Sequence, residues 1–504
     1  MKILSAKQIK EADAYTIAHE PIASIDLMER AAANCFKWII ENTNPGVRFT
    51  IFCGTGNNGG DGLAIARMLH QFGCPVTTYI VHSESKASAD FLTNETRLKN
   101  IDEAICIDIT SITELPLIST NDIIIDALFG TGLNKPIKGV AADLIQYINH
   151  SRSIVIAIDM PSGLFADQPS GVSSNQIIKA TYTLSFQLHK LAFFFAENAP
   201  YTGEVIILPI GLNEQFIDSC QSNYELIETT HIQHIIKPRP FFSHKGNYGK
   251  AAIIAGSYGK MGAAVLAAKA CLRTGCGLLT MIIPKCGYDI LQTTVPESMV
   301  ICDENDTMIS SEYSLDTFDT IGIGPGIGTA NETVNVFKQI LQHYKQPIVI
   351  DADAINIIAA NKELMDLIPP ESIFTPHPKE FERLVGKTND HFERNKLQIE
   401  FSTKHNVFIV LKGRYTCISC PDGSCYFNPT GNPGMAKGGS GDTLTGMLTG
   451  LLSQGYSSKD TCITGVYLHG LAADIAVQTT GEYSLLASDM IDHIGQAFKK
   501  ETGH

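Results

Sequence analysis

Short apolar runs recur along both halves of this chain, and many lead straight into a loop bearing glycine or aspartate that opens a helix. Arg48–Cys53 runs into Gly54-Thr55-Gly56-Asn57-Asn58-Gly59-Gly60-Asp61-Gly62. Val76–Val81, Asp122–Ala127, Ile154–Ile158 and Val205–Leu208 follow, with helical patterns at about 5–19, 25–41 and 62–72. Strands this continuously apolar have no face to give to water, so both faces of their sheet must be covered. The pattern predicts a parallel sheet in a three-layer α/β/α domain. Residues 211–245 break the rhythm with a polar stretch ending in Lys237-Pro238-Arg239-Pro240. A second α/β series then opens with Ala251–Ala255, an alanine-rich helix to about 274, Leu278–Ile283, Thr320–Ile323, Ile348–Asp351, Ile373–Thr375 and Phe408–Leu411. A hairpin is expected around Pro421-Asp422-Gly423. With 504 residues the chain exceeds one ordinary core, and the expected domains are residues 1–218 and 219–504.

Composition narrows the partners. Hydrophobic residues make up 44% and charged residues 18%, as in a well-packed enzyme. A net charge of −14 argues against nucleic acid or an anionic membrane as partner. No run reaches the roughly 18–20 apolar residues of a membrane span. The N-terminal MKILSAKQIKEADAY lacks the apolar core of a signal peptide. Thirteen cysteines without regular pairing suit reduced thiols in a cytoplasmic setting. The single CxxC, Cys417–Cys420, has no second pair to complete a zinc site and reads as structural thiols.

The stretch Asn428–Asp442, NPTGNPGMAKGGSGD, precedes a short apolar helix expected at Thr443–Leu452. Gly438-Gly439-Ser440-Gly441 can aim bare N–H groups at one point, and the helix adds its positive end. That is a site for a phosphate-like anion. Asp442 at the same helix start would repel a phosphate unless it has a task, and taking a proton from an attacking hydroxyl is the natural one. Its alternative is an N-cap, which leaves the glycine run unexplained.

In the first half, Gly54-x-Gly56-x-x-Gly59 is formally a dinucleotide-binding fingerprint, but Glu84 is only roughly placed for the required acid and Asp61 would oppose a pyrophosphate. A sugar hydroxyl, polar base or cation suits Asp61 better. Asp126, Asp159 and Ser162 also end or follow apolar strands. With Asn58 they can line one crevice, since the C-terminal ends of parallel strands share one edge. All four donate oxygen, which suits a hard cation; capping roles are the alternative for either aspartate. In the second half Lys412-Gly413-Arg414-Tyr415-Thr416 follows a buried strand and can face a nucleotide. His377, held between Pro376 and Pro378, is either a site residue or a hydrogen-bonded structural histidine.

Taken together these motifs resemble two known families. HKGNYG at 244–249, GPGIG, DADAIN, TPHPKEF, VLKG and the Asn428–Asp442 stretch resemble NAD(P)H-hydrate dehydratase, a ribokinase-like α/β fold. NNGGDG, DALFGTGL and DMPSGL resemble NAD(P)H-hydrate epimerase, a Rossmann-like α/β fold. The resemblance covers nearly the whole chain and implies repair of NADH and NADPH hydrated at C6 of the nicotinamide ring. The first domain would interconvert the R and S hydrates, and the second would dehydrate the S form with ADP, releasing AMP and phosphate. It implies that Asn57, Asn58, Gly59, Gly60, Asp61, Gly130, Thr131, Gly132, Leu133, Asn134, Lys135, Pro136 and Asp159 bind the hydrate in the first domain. Asn58, Asp126 and Ser162 would hold a potassium ion there. In the second domain Gly326, His377 and Asp442 would face the hydrate, while Lys412, Gly413, Arg414, Tyr415, Thr416, Gly438, Gly439, Ser440 and Gly441 take the adenine nucleotide, ADP or else ATP, with magnesium. Asp442 and Asp159 are the expected catalytic residues, and a homo-oligomer is expected. A small-molecule kinase would use the same Asp442 chemistry but release a stable phosphoester. A non-catalytic nucleotide sensor would turn nothing over.

Overall fold

The computed structural model describes residues 1–82, 86–170 and 176–503, so Glu84 lies outside the described residues. The chain forms two compact units, Lys2–Ser222 with Asp390–Phe392, and Asn223–Asn389 with Glu393–His504 and Met1.

The first unit holds seven strands: β1 Phe49–Cys53, β2 Val76–Val81, β3 Cys106–Ile109, β4 Ile123–Ala127, β5 Ile154–Ile158, β6 Tyr182–Phe186 and β7 Glu204–Leu208. They lie in the order β3-β2-β1-β4-β5-β6-β7, and every pair is parallel. Side chains alternate between two covered faces, as the apolar runs require. Ile123 and Ile125 pack with Leu63 and Leu69 on one side, and Ile124 packs with Leu144 and Ile148 on the other. Strand order reverses between β1 and β4, which opens a crevice beyond their C-terminal ends. The edge strand β3 and the strand β6 do not stand out in the sequence, because CIDI and YTLSF interleave polar residues with apolar ones.

The second unit carries ten strands: β8 Tyr224–Leu226, β9 Lys250–Ile254, β10 Leu278–Ile283, β11 Met299–Cys302, β12 Thr320–Ile323, β13 Ile348–Ile350, β14 Ile373–Phe374, β15 Phe408–Leu411, β16 Cys417–Ser419 and β17 Cys425–Phe427. Their order is β11-β10-β9-β12-β13-β14-β15-β16-β17-β8. Pairing is parallel from β11 through β15, antiparallel across β15, β16 and β17, and parallel again to β8. Ala251 and Ile253 meet Ala264 and Ala267 on one face, while Ala252 and Ile254 join Phe337 and Ile355 on the other. Here the order reverses between β9 and β12. Strand β8 lies inside the polar stretch that the sequence reads as a break, and its small size hides it.

Two helices begin earlier than the residue types suggest. One runs Asn57–Gln71, so Asn57–Asp61 are its first turn and not a loop before it. The other runs Ser440–Ser453 with Gly439 as N-cap. Glycines disfavour helix by about 1 kcal/mol each, but close packing overrides that preference here. Among the described residues no helix is long and apolar enough to cross a membrane.

Candidate functional site

The crevice of the first unit is built from residues at the C-terminal ends of β1, β4, β5 and β6. Asp159 follows β5 directly and sits in the left-handed region with φ +64°. A non-glycine residue held there stores strain on the order of 1–3 kcal/mol, and such strain gathers at working sites. Its Oδ1 lies 2.8 Å from Nζ of Lys190, which is 0% exposed. Lys190 also donates to Ser185 Oγ at 2.6 Å and to the Phe186 carbonyl at 3.1 Å. Thr131 donates its backbone N–H (2.8 Å) and its hydroxyl to Asp159 Oδ2. Burial pushes the Asp159 pKa up, but the Lys190 charge and these donors outweigh it and hold the carboxyl below its ordinary range.

Asp61 is the opposite case. It is buried, has no hydrogen-bond or ion-pair partner among the described residues, and its pKa is raised well above the usual value by desolvation and then by Asp159 and Asp13. Asp13, on the helix Ala6–His19, is pushed up to about 6 by burial and by Asp159, with Lys190 opposing. One crevice therefore holds Asp159, kept ionised, beside Asp61, which burial drives toward its neutral form, an arrangement that separates a base from an acid.

Asp126 is the penultimate residue of β4 and is fully buried. Its Oδ2 accepts the Ser162 N–H at 2.8 Å, and its Oδ1 accepts the Ser162 hydroxyl at 2.6 Å and the Leu128 N–H at 3.2 Å. Burial raises its pKa to about 6 against those hydrogen bonds. The Asn58 side-chain amide is buried with both Oδ1 and Nδ2 unpartnered. A Cβ on Gly130 would come within 2.8 Å of Asp159 Oδ2 and 3.1 Å of Asn58 Oδ1, so glycine keeps that space open. The orphaned Asn58 Oδ1 and the Asp159 Oδ2 thus face one gap, and oxygen donors of this kind suit a hard cation. Asn57, Gly132, Asn134, Lys135 and Pro136 are exposed, Thr131 and Leu133 are half-buried, and Gly59 and Gly60 are packed inside.

In the second unit, Gly439 has φ +96°, which turns the chain so that the helix starts with Ser440, Gly441 and Asp442. The N–H groups of that first turn have no intrahelical acceptors. Gly438 is exposed. Asp442 caps nothing: its carboxylate has no hydrogen-bond partner among the described residues, which removes the N-cap alternative. Its pKa is pushed up to about 6 by burial and then by Asp351, with Lys412 opposing. Lys412, just after β15, places Nζ 3.0 Å from Asp351 Oδ1 and 3.2 Å from where a Cβ on Gly441 would stand. The rest of its loop is tied by Gly413 N–H to Thr416 Oγ1 at 3.3 Å, while Arg414 stacks on Tyr415 and donates to the Pro429 carbonyl at 3.0 Å. That last bond joins the Lys412–Thr416 loop to the glycine-rich stretch.

Gly326, beyond β12, accepts the Ser257 hydroxyl at its carbonyl, 2.7 Å away. His377 keeps local company: Nδ1 accepts the Lys379 and Glu380 N–H groups, and Nε2 lies 3.4 Å from Glu380 Oε1. Those are the contacts of a capping histidine, and none of them joins it to Asp442. Lys190 and His469, besides Asp13, went unmarked in the sequence. Lys190 follows the unrecognised β6. His469, buried in the helix Ser458–Thr480, donates from Nε2 to the Ser440 carbonyl at 3.0 Å, and burial holds its pKa down at about 4 so that the ring is neutral.

Comparison with known proteins agrees with this division. A family model described as NAD(P)H-hydrate dehydratase matches residues 251–496, and one described as YjeF-related protein N-terminus matches residues 24–192. The bifunctional NAD(P)H-hydrate repair enzyme Nnr of Moorella thermoacetica is 33% identical over 511 residues, covering 98% of this chain and 96% of that one. The protein of the same name from Coxiella burnetii is 33% identical and covers 97% of each chain. A crystal structure of a ribokinase-like superfamily protein from Enterococcus faecalis V583 overlays 56% of this chain and 99% of its own at 30% identity, with a TM-score of 0.50. The second unit is ribokinase-like, and with both families matched in order along one chain, this protein belongs to the bifunctional NAD(P)H-hydrate repair enzymes.

Proposed function

We propose that the first unit interconverts the C6 epimers of hydrated NADH and NADPH, and that the second unit returns the S hydrate to the reduced cofactor at the expense of ADP. The observation that carries the reading is Asp442, an unpaired, half-buried carboxylate in the first turn of a helix whose N–H groups are arrayed for phosphate. Asp442 removes the proton from the C6 hydroxyl as its oxygen attacks the β-phosphorus of ADP, and the bond to the α-phosphate oxygen breaks to free AMP. The N–H groups of Ser440 and Gly441, with Lys412, stabilise charge on the transferred group. The C6–O bond then breaks with the N1 lone pair assisting, and loss of the C5 proton restores the ring double bond. Magnesium supplies charge neutralisation on the nucleotide when bound.

Epimer exchange requires the hemiaminal to open and close on the other face. Asp159, held ionised by Lys190, takes the C6 hydroxyl proton. Asp61, held neutral by burial, returns a proton to N1 as the C6–N1 bond breaks. Asn58 Oδ1, Asp126 and Ser162 would hold a potassium ion that sets local charge. The test is incubation of both hydrate epimers with ADP or ATP while following reduced-nicotinamide absorbance. Full recovery requires both units; arrest near the fraction of one epimer means that the first unit does not exchange them, and a stable phosphoester points to a kinase instead.

A further inference from the structure

Asp351 stands at the N-cap position of the helix Ala352–Ala360, yet its carboxylate caps nothing in that helix. It is 1% exposed and turned to two other elements. Oδ1 takes Lys412 Nζ at 3.0 Å, and Oδ2 takes the Thr445 hydroxyl at 2.8 Å. Thr445 also donates to the Gly441 carbonyl at 3.2 Å, one turn back along the helix that bears Asp442. Ala352, the next residue, is held at φ +48°. An aspartate that gives up the cap its position offers, beside a strained residue, is committed elsewhere.

We propose that Asp351 is the positioning residue of the dehydration site: it fixes the Lys412 ammonium against Gly441 and clamps the first turns of the Ser440–Ser453 helix. This rests on Asp442 being the base. Lys412 Nζ lies within reach of any group resting on the Gly441 backbone, so its position decides where a transferring phosphoryl group settles. Asp351 acts on Asp442 through space as well. The charged groups facing Asp442 are Asp351 and Asp353 from the start of the Ala352–Ala360 helix and Lys412 from the end of β15. Lys260 pairs with Asp353 at 3.4 Å and offsets it, and His469 on the neighbouring helix is neutral. Asp351 is thus the chief like charge that keeps Asp442 basic, and Lys412 is the opposing one.

The experiment is the pH dependence of kcat/KM for dehydration by the full-length chain, with Asp351→Asn, Lys412→Met, Thr445→Val and Asp442→Asn beside the parent. Asp351→Asn should move the acid limb down by about half a unit or more, as loss of a nearby like charge does. Lys412→Met should move it up, and this variant keeps the test decisive if Asp351→Asn fails to fold. Thr445→Val removes the hydroxyl's contacts with Asp351 and the Gly441 carbonyl but no charge, so its limb should stay in place while KM for the nucleotide rises. An acid limb that stays put in either charge variant overturns the proposal, because a merely structural Asp351 would alter melting and leave the titration alone. Full activity in Asp442→Asn would overturn the base assignment itself, which is a separate failure.

Discussion

Lys190 Nζ, wholly removed from solvent, lies 2.8 Å from Asp159 Oδ1 at the crevice of the first unit. Neither charge is tolerable there without the other. Replacing Lys190 by Met leaves Asp159 buried and uncompensated. The expected cost is about 3–5 kcal/mol of stability, with epimer exchange lost. Adding Asp159→Asn to Lys190→Met should recover part of the stability and none of the exchange. Thermal melts and chromatographic assay of the two hydrates decide it; a double variant no more stable than the single one contradicts the pairing argument.

Asp442→Asn should lower dehydration by roughly 10²–10⁴-fold, the usual worth of a positioned base. Epimer exchange should persist, because the proposed acid and base of that reaction, Asp61 and Asp159, stand in the other unit. The measurement is the rate of each half-reaction on one preparation. Equal loss of both would mean that the two chemistries share a site.

The pH profile of dehydration follows from the same residue. Burial and the Asp351 charge raise the Asp442 pKa to about 6. A base must be ionised to act, so the rate should level above that pH and fall about tenfold per unit below it. Initial rates at saturating nucleotide and low hydrate, from pH 5 to 8, test this. A limb near pH 4 would place Asp442 in a far more solvated setting.

Both sheets were legible because continuous apolar strands are a strong signal, and most site loops were legible because glycine and aspartate cluster where those strands end. What was not legible depended on partners distant in sequence. Lys190 is invisible as a site residue unless YTLSF is recognised as β6, and its alternating threonine and serine conceal that. Asp351 could be seen at a strand end, but its ligands come from 61 and 94 residues away. His469 reads as an ordinary helix residue, since its partner is a carbonyl 29 residues back. His377 stands out in the sequence for its flanking prolines, but the local capping contacts of its ring could not be read there.

Gly130 offers a test that depends on space alone. A methyl group there would stand 2.8 Å from Asp159 Oδ2 and 3.1 Å from Asn58 Oδ1, inside any ordinary contact distance. Asp159 is held by Lys190 and Thr131, whereas the Asn58 amide has no hydrogen-bond partner, so the Asp159 contact decides the outcome. The Asp159 carboxylate cannot retreat as the end of a flexible side chain would. Gly130→Ala should therefore displace the base and the cation ligand together, and epimer exchange should fall by roughly 10²-fold, the cost of an ångström of misplacement. Dehydration of the S hydrate should be unaffected. If potassium is bound at Asn58, the same variant should also lose the stabilisation that potassium salts give the parent over sodium salts. A variant that exchanges epimers at the parental rate would show that this gap between Asp159 and Asn58 is not where the hydrate or the cation sits.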